Sequence, residues 1–406
     1  MSTAGTSRKK TPSGSHPTAA PATAGAATGK TDLTSDDEKW MTRALEEGKK
    51  GHPSPNPHVG SVVVRNGEVV GAAHHDRAGE DHAEVAALKL AGDKANGATL
   101  YVTLEPCNHH GRTRPCTEAI LASKVVRVVA GTRDPNPHVD GGGLETLREA
   151  GLEVASGVCE EQARKLIAPW SKFVTLGLPY LSLKLALSLD GRIATRTGAS
   201  KWLTGSDARA RVHALRSLHD AVAIGIGTAI MDDPRLTVRD APGPSPTRIV
   251  FDTKLRLPAK SRLVETAREV PTIVICNADA PVSNEQDLVA HGVEVIRAPS
   301  SAEGRIDVRG ALQLLAARGI VTMMVEGGAE LAGSLLAARL ADELHAFIAP
   351  TLLGPRGRPG AVDWAGPDKP QDAPRISNPQ WELCGTDAHV FGPLVYPERT
   401  YPEHEA

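Results

Sequence analysis

Apolar residues recur at helical spacing at Trp40, Met41, Ala44 and Leu45, on one face of a helix that Ser35 is placed to cap. A proline-rich loop follows, Pro53-Ser54-Pro55-Asn56-Pro57. Then the period shortens: Ser61-Val62-Val63-Val64 and Val69-Val70 flank Asn66-Gly67, a dipeptide suited to a tight hairpin because both residues tolerate positive φ. The pattern predicts a helix over 82–91, a strand over 99–104, a helix over 116–123 and a strand over 125–130, with alternation to about residue 168. Pro169 and Pro179 bracket a predicted linker, and a strand over 180–187 opens a second series. Further strands are expected at 221–226, 248–252, 271–276, 321–325 and 343–348, and helices at 205–219, 307–318 and 328–339. Alternating strands and helices imply α/β layers. With no internal repeat, the halves are different domains, expected over 35–168 and 180–395, joined by a linker over 169–179 and preceded by a tail over 1–34.

The 406 residues leave room for two such domains. A hydrophobic share of 40% and a charged share of 23% suit a soluble globular protein, and aromatics at 3% leave the cores to Val, Leu, Ile and Ala. The 46 basic and 48 acidic residues give a net charge of −2, so no broad basic field points to nucleic acid or membrane. No apolar run approaches the roughly 20 residues of a membrane span. The first 31 residues hold no Leu, Ile, Val, Phe or acid. They lack the apolar core of a secretory signal and the amphipathic face of a transit peptide, so they read as a disordered tail and the protein as cytoplasmic. The cysteines are Cys107, Cys116, Cys159, Cys276 and Cys384; an odd number in a large chain argues against a disulfide framework.

Chemistry concentrates in two places. His82-Ala83-Glu84, Pro106-Cys107 and Cys116 offer one imidazole and two thiols. A catalytic zinc uses three protein ligands and leaves one position for a water whose pKa it lowers to about 7. Glu84, two residues from His82 at a helix start, is placed to shuttle protons without binding metal, whereas a structural zinc would recruit a fourth ligand such as His109 or His110. The general zinc-deaminase signature is H-x-E with P-C-x-x-C; here eight residues separate the cysteines. In the second half, Gly225-Ile226-Gly227 and Glu326-Gly327-Gly328 each close a strand before a helix, where backbone N–H groups can approach phosphate. Arg216 and Arg239 are candidates to clamp a sugar phosphate.

Taken together, Pro55-Asn56-Pro57-His58-Val59-Gly60, His75, His82-Ala83-Glu84, Thr103-Leu104-Glu105-Pro106-Cys107, Gly111-Arg112-Thr113 and Asp134-Pro135-Asn136-Pro137 resemble the deaminase of riboflavin biosynthesis. The series Lys184 to Ala194, Ser200-Lys201-Trp202-Leu203-Thr204, Gly225 to Thr228, Asp232 to Arg239 and Glu326-Gly327-Gly328 resembles the reductase domain of the same bifunctional family. The resemblance implies an α/β chain: a cytidine-deaminase-like three-layer domain, then a dihydrofolate-reductase-like one. It implies zinc on His82, Cys107 and Cys116, with Glu84 catalytic, and hydrolytic deamination at C2 of a diaminopyrimidinone carrying a ribosylamino phosphate. Reduction of the ribosyl to a ribityl chain by NADPH would follow. Asn56, Ser200, Arg216, Leu236, Arg239 and Glu326 would contact substrate. Ala186, Trp202, Thr228, Asp232, Thr253, Gly328, Ala329, Glu330, Leu331, Ala332, Gly333 and Ser334 would contact NADPH. A homo-oligomer through the reductase domain is implied too. Three positions depart from the family: Arg114 replaces a usual proline, Ala86 a common histidine, and Asp140-Gly141-Gly142-Gly143 a stretch with a basic side chain. The alternatives are a paralogue with one active half, a non-catalytic scaffold around a structural zinc, and a nucleoside or nucleic-acid zinc deaminase, which would normally carry the shorter cysteine spacing and, for nucleic acid, a basic, aromatic surface.

Overall fold

Two apolar series become two sheets. The computed structural model describes residues 34–111, 114–137, 142–354, 356 and 360–397; the tail over 1–33, and Asp140 and Gly141 of the departing stretch, lie outside them.

The first series runs α1 (Ser35–Gly48), β1 (Gly60–Arg65), β2 (Glu68–His74), α2 (Ala83–Ala91), β3 (Thr99–Leu104), α3 (Cys116–Ala122), β4 (Arg127–Thr132), α4 (Gly143–Glu149), β5 (Glu153–Ser156) and α5 (Glu160–Leu176). Its sheet has the order β2-β1-β3-β4-β5, antiparallel across β2-β1-β3 and parallel across β3-β4-β5. Asn66 and Gly67 both take positive φ at the β1–β2 turn, which the hairpin twist requires. Alternation along β1 sends Val63 to a core shared with α2, α3 and α4, and Val62 and Val64 to one shared with α1 and α5. The result is three layers.

Two expectations are corrected. The α1 cap is Thr34, not Ser35: Asp37 N–H donates to the Thr34 hydroxyl at 3.2 Å, and Thr34 N–H donates to the Asp37 carboxylate at 3.0 Å. The predicted linker over 169–179 is instead helical as far as Leu176, because α5 runs through Pro169. An internal proline costs about 3 kcal/mol, and here it is offset by burial of Ala163 and Ile167 before it and by contacts of Trp170 and Lys172 after it.

The second series is β6 (Tyr180–Ser188), α6 (Ser206–Ser217), β7 (Ala221–Gly225), α7 (Ile226–Asp232), β8 (Thr247–Phe251), α8 (Arg262–Glu265), β9 (Thr272–Asn277), α9 (Val282–Ala290), β10 (Glu294–Ala298), α10 (Val308–Ala316), β11 (Thr322–Gly327), α11 (Ala329–Ala337), β12 (Glu343–Ala349), β13 (Arg375–Ile376), β14 (Gln380–Cys384) and β15 (Asp387–Val395). The sheet order is β10-β9-β8-β7-β11-β6-β12-β15-β13, with β14 also on β15. It is parallel from β10 to β12, and β15 returns antiparallel. The parallel strands are buried on both faces, as continuous runs such as Ala221-Val222-Ala223-Ile224 require. Among the described residues no helix is long and apolar enough to cross a membrane.

Candidate active sites

In the first half, three elements converge. His82 is the N-cap residue of α2, Cys107 follows β3, and Cys116 opens α3. His82 Nδ1 lies 3.1 Å from Cys116 Sγ and 3.5 Å from Cys107 Sγ, and all three donor atoms fall within 4.8 Å of one another. The Cys116 backbone N–H donates to Cys107 Sγ at 3.4 Å, a bond that favours a thiolate. The hydrogen bond from the Cys116 thiol is the largest influence lowering the Cys107 pKa, to about 4, and the same bond, with burial, pushes the Cys116 thiol up. A soft set of one imidazole and two sulfurs fits zinc. Among the described residues no fourth side chain joins it: His110 is exposed and pairs with Glu118 at 3.4 Å.

Glu84 sits in the first turn of α2, 3% exposed, and burial pushes its pKa up. It lines a cavity of about 410 Å³ together with His82, Cys107, Asn56, His75 and Trp170. Asn56 donates its amide N–H to His75 Nε2 at 2.9 Å, while His75 Nδ1 faces the Asp81 carbonyl at 3.0 Å. That pattern needs a neutral ring protonated on Nδ1, and burial lowers the His75 pKa accordingly. Glu105 accepts N–H groups of Asp134 at 3.2 Å and Leu144 at 3.3 Å, tying both neighbouring loops to the cysteine segment.

In the second half a cavity of about 570 Å³ opens between the β7–α7 and β11–α11 turns. Gly328 takes φ +93°, and a Cβ there would lie 3.5 Å from Gly225 N, so the two glycine turns form one narrow cradle. Of the expected cofactor contacts, Ala186, Trp202, Thr228, Asp232, Gly328, Ala329 and Ala332 line the cavity. Leu331 packs into the core, Glu330 faces outward near Arg305, Gly333 lies under the Asp363 carbonyl, and Ser334 bonds the Glu330 carbonyl. Thr253 lies beyond β8, its carbonyl accepting from Asn277 N–H. All the expected second-half substrate contacts, Ser200, Arg216, Leu236, Arg239 and Glu326, line the cavity. Arg216 is not an unengaged phosphate clamp: it grips both oxygens of Glu326 and donates to the Thr237 carbonyl at 3.0 Å. Burial alone would raise the Glu326 pKa, but the Arg216 guanidinium holds it below the usual value. Arg239 is more exposed, its backbone N–H on His213 Nδ1 at 3.2 Å.

Sequence reasoning gave no role to His75, His213, Lys184 or Trp170. Lys184 lines the second cavity near Glu326, and burial lowers its pKa. His75 and Lys184 belong to the stretches that carry the resemblance but had no role of their own there, and His213 and Trp170 are lone residues that only their neighbours mark.

The first fold and site define a zinc-dependent deaminase, and the second a reductase with a nucleotide-sized cleft, so the class is a two-activity enzyme. Residues 34–132 match the cytidine and deoxycytidylate deaminase zinc-binding region, and residues 179–390 match the RibD C-terminal domain. The riboflavin biosynthesis protein RibD of Aquifex aeolicus is 45% identical, covering 78% of this chain and 88% of its own length. The Escherichia coli protein of that name is 41% identical, covering 88% and 99%. Acinetobacter baumannii RibD, form 1, superposes with a TM-score of 0.78 at 37% identity, over 89% of this chain and 99% of its own. A diaminohydroxyphosphoribosylaminopyrimidine deaminase / 5-amino-6-(5-phosphoribosylamino)uracil reductase from Thermotoga maritima gives 0.76 at 35% identity, over 89% and 99%. The chain belongs to the RibD family of bifunctional deaminase–reductases of riboflavin biosynthesis, whose cofactors are zinc and NADPH.

Proposed function

We propose that both sites work in this chain, in sequence, on one pyrimidine bearing a ribosylamino phosphate. His82 Nδ1 and the Cys107 and Cys116 sulfurs would hold zinc, which when bound would supply a water acidic enough to ionise near neutral pH. Glu84, whose pKa burial raises, is placed to take a proton from a water as its oxygen bonds C2 and to give a proton to the amino nitrogen as the C2–N bond breaks and ammonia leaves. Asn56, oriented by His75, anchors the base or ribose. In the second half the glycine cradle, with Ala186, Trp202, Thr228, Asp232, Gly328, Ala329 and Ala332, would hold NADPH, which when bound would supply the hydride; Thr253, Glu330, Leu331, Gly333 and Ser334 do not line the cavity and are not assigned to it. Arg239 takes the substrate phosphate, Glu326 is oriented by Arg216, and Ser200 and Leu236 complete the substrate wall. The protein's contribution there is placement of two reactants. The deaminase domain is assigned to 35–168 and the reductase domain to 180–395, with α5 spanning the join. A cytoplasmic homo-oligomer with no nucleic-acid partner is the fitting setting for a chain of net charge −2.

The observation that carries the reading is a buried carboxyl, Glu84, beside the ligand set but outside it. Glu84→Gln is expected to keep its zinc and lose deamination by roughly 10²–10⁴-fold, while NADPH oxidation on the deaminated substrate continues. Full zinc with near-normal deamination would remove Glu84 from the chemistry. Wild-type assays of both steps test this against a chain with one active half: turnover in only one of them would overturn the two-activity reading.

A further inference from the structure

Helix α5 has two working faces. Ala163, Leu166, Ile167 and Trp170, spaced three and four apart, turn toward the deaminase layers. The indole of Trp170 is partly buried and lines the cavity that holds Glu84, His82 and Asn56. Two residues on, and therefore about 200° round the helix, Lys172 points to the reductase half. Its ammonium donates to Asp342 Oδ2 at 2.5 Å and to the Leu340 carbonyl at 3.1 Å. The same Asp342 oxygen accepts the Leu181 N–H at 2.7 Å, and the Asp342 N–H donates to the Leu181 carbonyl at 2.9 Å. The pair is largely shielded from water, with side chains 12% and 22% exposed. Other residues of the same half-turns, Ser171 and Thr175, face the cleft between the halves.

We infer that Trp170 is a substrate-binding residue of the deaminase site, its indole an apolar wall for the pyrimidine ring, and that Lys172 and Asp342 are positioning residues for it. This rests on the deaminase reading above. A flat aromatic face recognises a planar heterocycle whatever its ring substituents. It does so well only if its rotamer and backbone are held, and the reductase half supplies that hold. One wall of the first active site is thus fixed by the body of the second, through a helix rather than through ligand contacts.

The test uses the full-length chain. Trp170→Ala is expected to raise the deaminase KM roughly ten- to a hundredfold, with kcat changing less and with zinc content and NADPH oxidation unchanged; Trp170→Phe restores most of the loss. In a Glu84→Gln background, where substrate binds without turnover, the diaminopyrimidinone ribosylamino phosphate should quench tryptophan emission, and Trp170→Phe should abolish that quench. Lys172→Met should raise the deaminase KM when Trp170 is present and not when it is alanine. Unchanged KM and unchanged quench in the Trp170 variants overturn the binding role. A Lys172→Met effect of equal size in both backgrounds overturns the positioning role. A wild-type chain that shows the Trp170-dependent quench but releases no ammonia would sink the deaminase reading and leave Trp170 in the pocket.

Discussion

Asp37 joins three elements through two oxygens. Arg127 of β4 donates to both, at 2.6 and 3.0 Å, the Tyr101 hydroxyl of β3 donates at 2.9 Å, and the N–H of Thr34 completes the set. Burial by itself would raise the Asp37 pKa, but the hydrogen bonds and charge of Arg127 prevail, and the carboxyl stays well below the usual range. A carboxyl depressed in the folded state stabilises fully above its unfolded pKa of about 3.9 and loses that contribution as pH falls below it. Asp37→Asn is expected to cost about 3 kcal/mol at pH 7, since Arg127 is left partly uncompensated. It should also flatten the fall of stability between about pH 4 and pH 2. Urea unfolding of both chains at pH 7 and pH 3 checks this; equal stability at pH 7 would show the pair to be neutral. In the sequence Asp37 is one acid in a helical first turn, and nothing connects it to Arg127. The cluster of His82, Cys107 and Cys116 was legible because its residue types are rare and its spacing is chemical. Trp170 was not, because a tryptophan near a proline carries no such code.

At the scale of elements, glycines decide how closely loops approach the metal set. The departing stretch ends in Gly142, at φ +76°, and Gly143, the first residue of α4. A Cβ on Gly143 would come within 1.9 Å of the Pro106 carbonyl, next to Cys107. Gly143→Ala must therefore push the cysteine segment away from α4. The expected outcome is a loss of about 1–3 kcal/mol together with lower zinc occupancy, read from a melting curve and a metal assay. Full zinc at unchanged melting temperature would mean that the loop yields freely. Periodicity found the long elements but missed α8, α9, β10 and the closing strands β13 to β15. Those strands interleave polar residues, Glu382 and His389 among them, that look like loop until paired across the sheet. Proline was weighted too heavily at 169, where packing on both faces of α5 overrides a local penalty.

Across the whole molecule, the cavities of about 410 and 570 Å³ share no lining residue. Chelating the zinc should therefore abolish deamination and leave reduction of the deaminated intermediate running. Arg239→Ala should do the converse, raising the reductase KM by roughly tenfold or more through loss of a charge-assisted phosphate bond. Steady-state assays of each step report both; a reductase that fails with the zinc would contradict the division. The sequence by itself determined the two-sheet α/β class, the order of the halves, the grouping of His82, Cys107 and Cys116, and the glycine turns. Each of these is written in local period, in rare residue types or in short spacings. Tertiary structure alone decided that Arg216 serves Glu326, that His75 holds Asn56, and that α5 carries a wall of one site while anchored in the other half. Those facts depend on contacts between residues tens to hundreds of positions apart, where chain connectivity leaves no periodic trace and only packing brings the partners together.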